Sequence, residues 1–64
     1  MDLSKFLDKK VRIIDIDNCE FIGKVEIFTD KYNDPEEKDN ITLYNEKDYI
    51  SFYEDEIKSI KIID

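Results

Sequence analysis

The densest run of groups able to do chemistry is Asp30 to Ile41, DKYNDPEEKDNI, where carboxylates stand as they do in loops that hold divalent cations. The spacing does not support such a loop. An EF-hand beginning at Asp30 needs an aspartate or asparagine third, a glycine sixth and a glutamate twelfth, and the chain has Tyr32, Pro35 and Ile41 there. Nucleophilic catalysis fares no better, because the chain has no histidine to serve Ser4, Ser51, Ser59 or Cys19 as a base. The neighbours of Cys19, Asp17 and Glu20, disfavour a thiolate, so this cysteine is expected to fill a small core position. No spacing selects two carboxylates for acid–base work. The expectation is a non-enzyme without metal or cofactor.

Charge carries more information. Ten basic residues against 17 acidic ones give −7, with the acids gathered at Asp34, Glu36, Glu37 and Asp39 and again at Glu54, Asp55 and Glu56. That balance opposes binding to phosphate backbones, where lysine and arginine displace counterions. It fits a protein partner with a basic surface, as an acidic inhibitor of the kind phages encode would have. The commoner role of such clusters is to keep a small protein soluble.

These residues must be placed by a small frame. Sixty-four residues make one domain, which buries only about 60% of its unfolded surface, so association is an expected source of stability. A lone cysteine leaves no disulfide within the chain. MDLSKFLDKK lacks the apolar run of a signal peptide, and no stretch is long enough to span a membrane, so a cytoplasmic protein is expected.

Along the chain, Asp2 can cap a short helix whose Leu3, Phe6 and Leu7 share a face, with Lys9 and Lys10 near its carboxyl end. Residues 11–16 are rich in β-branched side chains and read as a strand ending in a turn at Asp17-Asn18. A long second strand follows, with Cys19, Phe21, Gly23, Val25 and Ile27 on one face. Its glycine, the only one in the chain, predicts a bend at which the strand turns a barrel corner. Residues 30–40 form a polar loop, 40–45 and 49–53 two short strands with the Asn45 to Asp48 segment turning the chain between them, 54–56 a brief turn and 57–63 a last strand.

This order resembles the Sm-like fold, a small barrel related to the Src-homology-3-like barrels. Val11, Ile13, Phe21, Gly23 and Val25 sit where that family has its V-x-V and F-x-G-x-L positions; Phe28, Asp30 and Asn33 look like its aromatic, aspartate and asparagine; and Ile57 and Ile60 match its closing I-x-x-I. The resemblance implies a mainly β chain in which a short N-terminal helix precedes five strands, strongly bent and closed as a barrel. It also implies a loop in which Asp30, Tyr32 and Asn33 hold a base by stacking and hydrogen bonding. The same residue types make ordinary turns, with Asp30 and Asn33 capping backbone amides. Two features depart from the family: Phe52-Tyr53-Glu54 stands where its arginine and glycine are found, and the acidic insertion Asp34 to Asp39 follows Asn33. A ring of six or seven copies at −7 each would carry −42 to −49, which repels RNA.

The edges complete the reading. Ile50 and Phe52 lie on one face of the fourth strand and Tyr49 and Tyr53 on the other; Ile57, Ile60 and Ile62 make the last strand apolar on both. Strands apolar on both faces are covered twice. In the resembling family the fourth strand of one copy pairs with the fifth of the next, which implies a homo-oligomer; packing under the helix in a monomer is the alternative.

Overall fold

The computed structural model describes Met1 to Ile63, and its sheet has five antiparallel strands: β1 (Lys10–Asp15), β2 (Glu20–Thr29), β3 (Asn40–Tyr44), β4 (Tyr49–Tyr53) and β5 (Ile57–Ile62). Their order across the sheet is β4-β3-β2-β1-β5. The mainly β expectation holds, and two parts of it are corrected. There is no α-helix among the described residues, and the sheet is not closed into a barrel, because β4 and β5 form its two edges and pair only inward.

The first correction has a local cause. Asp2 does cap the first turn, its carboxylate accepting from the amide and the hydroxyl of Ser4 at 3.1 and 2.6 Å, and those bonds hold its pKa below the ordinary carboxylate value. The turn, however, is a 3-10 segment over Leu3–Phe6. Asp8 then takes a left-handed conformation, φ 65°, and its amide bonds to the Val25 carbonyl at 2.8 Å, which sends the chain into β1. One turn is too short to overcome the cost of helix nucleation. Leu3 and Phe6 are buried as expected, whereas Leu7 is exposed.

The second correction is one of reach. Only the 3-10 turn Glu54–Glu56 separates β4 from β5, so the sheet must coil until its two edges come within roughly 14 Å at that end, the most that four extended residues span. Bulges accomplish part of the coiling. In β2, Val25 pairs with Leu43 and Ile27 with Thr42, which leaves Glu26 as an extra residue. In β5, Ser59 pairs with Ile14 and Ile57 with Asp15, which leaves Lys58 extra. A bulge advances the phase of a strand by one residue and sharpens its twist.

This phase change corrects the expected inner face of β2. Ile27 is 50% exposed, and Phe28 packs against the core in its place. The inward residues Val25 and Phe28, like Ile57 and Ile60 in β5, are three apart rather than two. No register shift occurs at Gly23, which pairs directly with Val11. Its role is close approach: a Cβ built there would lie 2.5 Å from the Tyr44 carbonyl oxygen and 3.1 Å from Leu43 Cγ.

The core forms inside the curl from Leu3, Phe6, Val11, Ile13, Val25, Ile41, Leu43, Phe52 and Ile57, with no buried polar side chain among the described residues. Phe21 and Phe52, on strands separated by β3, meet edge-on with ring centroids 5.1 Å apart. Cys19, expected inside, is exposed on the β1–β2 turn. The turn itself is as expected, with Asn18 left-handed at φ 63°.

Candidate functional site: the two sheet edges and the acidic end

The expected ligand loop is a capped turn. Asp30 Oδ1 accepts from the Tyr32 amide and from Asn33 Nδ2, both at 3.0 Å, at the start of a 3-10 turn over Lys31–Asn33. Asp30 and Asn33 are thereby engaged with one another. Tyr32 projects into solvent, 84% exposed, with the Lys31 ammonium 5.3 Å from its ring centroid. The three residues are adjacent, and Tyr32 is the member with an open face.

The acidic insertion is ordered by its own carboxylates. Asp34 accepts from the Glu36 amide at 2.9 Å with one oxygen, and from Asn40 Nδ2 and the Tyr53 hydroxyl at 3.2 and 3.3 Å with the other. Asp39 accepts from the Lys31 amide at 2.8 Å and, through its carbonyl, from the Glu54 amide at 3.0 Å. Lys38 reaches Asp55 at 2.8 Å, which raises the lysine pKa. The two acidic runs, fifteen or more residues apart in sequence, therefore form one surface at the end of the sheet where β4 turns into β5. Glu36 first, then burial and Asp34, push the Tyr53 phenol up to about 12. Among the described residues no three His, Cys, Asp or Glu side chains are arranged to hold a metal ion.

The edges differ in chemistry. On β4, Phe52 is buried and Ile50 packs on the core, while Tyr49 is 63% exposed and Tyr53 half-buried on the opposite face. On β5, Ile57 is buried and Ile60 packs on the core, but Ile62 is 44% exposed. Lys58 and Lys61 line β5, and both are exposed; β4 carries no charge and is flanked by Asp48 and Glu54.

No family model, curated protein or solved structure matches this chain. Its chemistry must be read from its own surface. Sequence reasoning reached the edge residues and the acidic runs one by one. It did not reveal that Asp34, Asn40 and Tyr53 join them, because these bonds depend on β3 and β4 being neighbours. Among the described residues no helix is long and apolar enough to cross a membrane.

Proposed function

We propose that this chain is a non-enzymatic, Sm-like binding and assembly module that self-associates edge to edge, β4 of one copy against β5 of the next. The observation that carries this reading is the unlike chemistry of the two open edges. An open edge is a row of unpaired backbone donors and acceptors, and proteins that remain single usually guard it with charge, proline or a covering segment. Here β4 carries no such guard and leaves Tyr49 exposed, while β5 sets two lysines, Lys58 and Lys61, beside the exposed Ile62.

Charge selects between modes of pairing. A two-fold contact of β5 with itself, run antiparallel, brings Lys58 and Lys61 of one copy against those of the other; a two-fold contact of β4 brings Asp48 against Glu54. Pairing β4 with β5 sets the lysines beside an uncharged strand with acidic ends. Such a contact is head-to-tail and closes into a ring or extends into a filament. Sedimentation velocity at micromolar concentration is the test: a species several times heavier than 7.7 kDa is expected, and a lone 7.7 kDa species overturns the reading.

A second reading draws on the joined acidic surface. Asp39 and Glu54 are tied backbone to backbone and Lys38 to Asp55, so carboxylates from two segments stand together as phosphates do along a strand. Under this reading the chain inhibits a protein that has a basic groove. Reversing the charge of Glu54, Asp55 and Glu56 would abolish capture of that partner, and unchanged capture would remove the idea.

A further inference from the structure

A second surface is the outer face of β3 and β4, which shares Tyr49 with the proposed edge but is otherwise built from side chains, whereas edge pairing runs through the backbone groups of β4. Ile41 and Leu43 pair with Phe52 and Ile50 on the core side, so the remaining rungs, Asn40–Tyr53, Thr42–Ser51 and Tyr44–Tyr49, lie on the side away from it. The rungs are built as a continuous surface. The Tyr44 and Tyr49 rings stand 4.7 Å apart, and the Thr42 and Ser51 hydroxyls are bonded at 3.0 Å. Ile27, displaced outward by the bulge at Glu26, extends the surface beside Thr42.

None of these seven residues is charged, in a chain of which 42% is charged. The charges are at the borders. Glu46 and Asp48 occupy the connecting turn with Lys47, Lys24 stands opposite Tyr44 on the β2 side, and Asp34 and Glu36 stand at Tyr53, where Lys38 is already held by Asp55, so the acids outnumber the lysines along the rim. A centre rich in tyrosine and depleted of charge, within a charged rim, is the anatomy of a protein interface, and tyrosine is among the residues that carry most binding energy there.

The sign of the rim chooses the partner. We infer that this face is a docking surface for a protein that presents an uncharged, partly apolar centre bordered by lysine and arginine. Complementary rims steer encounter and reject wrong partners. A phosphate-bearing strand meets repulsion from a molecule of charge −7, and a second copy placed face to face would set acid against acid.

The experiment titrates the isotope-labelled chain with a peptide that alternates arginine and leucine, followed by nuclear magnetic resonance, with a glutamate–leucine peptide as counterpart. Binding of the arginine peptide alone is expected, with shifts at Thr42, Tyr44, Tyr49 and Ser51, an affinity that falls as salt rises, and a loss of about tenfold or more in Tyr49→Ser. Ser51→Lys, at an exposed position, is expected to lose the same affinity, which keeps the test open should the tyrosine variant unfold. Equal binding of the glutamate peptide, shifts confined to residues 34–39 and 54–56, or no binding by the arginine peptide would each overturn the inference.

Discussion

The carbonyl oxygen of Tyr44 occupies the space in which a side chain at Gly23 would begin, 2.5 Å from the ideal Cβ position. Neither backbone can yield easily, since Gly23 is paired to Val11 and Tyr44 to both Lys24 and Tyr49. Gly23→Ala is therefore expected to destabilise the fold by about 2–3 kcal/mol, as overpacking of a closed site does. Urea unfolding followed by circular dichroism measures this, and a loss below about 0.5 kcal/mol, the range of neutral surface changes, would refute the close-approach role.

The bulge at Glu26 makes an unusual claim about neighbours in sequence. Phe28, packed on the core, should cost about 2 kcal/mol or more when cut to alanine, while Ile27→Ala, on the outer face, should cost less than about 1 kcal/mol. An uninterrupted strand predicts the reverse order, so the ranking of two denaturation midpoints decides it.

Tyr53 offers a spectroscopic handle. The phenol is kept protonated by Glu36, by burial and by Asp34, up to about 12. For an acidic group whose folded pKa is raised, the stabilising contribution is complete below the unfolded value near 10 and is lost as pH rises from there through the folded value. In ultraviolet titration, the phenolate step missing from Tyr53→Phe should lie at about 12 in the folded chain. A missing step near 10 would mean that the two carboxylates do not act on it.

Edge pairing can be separated from two-fold pairing by mixing. Tyr49→Lys places a charge on β4 and Ile62→Lys one on β5, each at an exposed position. If the contact is head-to-tail, the two variants are each expected to remain small alone and together to give a complex of about twice 7.7 kDa, through the one intact edge of each. A single variant that forms a stable dimer by itself would point to a two-fold contact instead.

Much of the fold is legible in local patterns. Alternation in NITLY and YISFY, the turn residues Asp17-Asn18 and Asn45, and the cap at Asp2 all have counterparts in the structure, because each rests on groups only a few residues apart. Asn45 Oδ1, for example, takes the amides of Lys47 and Asp48 at 3.0 and 2.8 Å and so makes its turn without outside help. The expected helix is replaced by a 3-10 turn because three apolar residues in the right spacing do not fix which kind of turn forms. The left-handed Asp8, bonded to Val25, decides it.

By itself, the sequence determined the strands, their turns and the inventory of acids and tyrosines, since those follow from period, propensity and charge. The tertiary structure decided which residue of β2 and β5 is skipped, because a bulge is chosen by the partner strand and leaves no local mark at Glu26 or Lys58. It also decided that the sheet ends in two free edges, and that the carboxylates of residues 34–39 meet those of 54–56. Both are long-range contacts, fixed by how far the curl brings distant backbone together rather than by any short run of side chains.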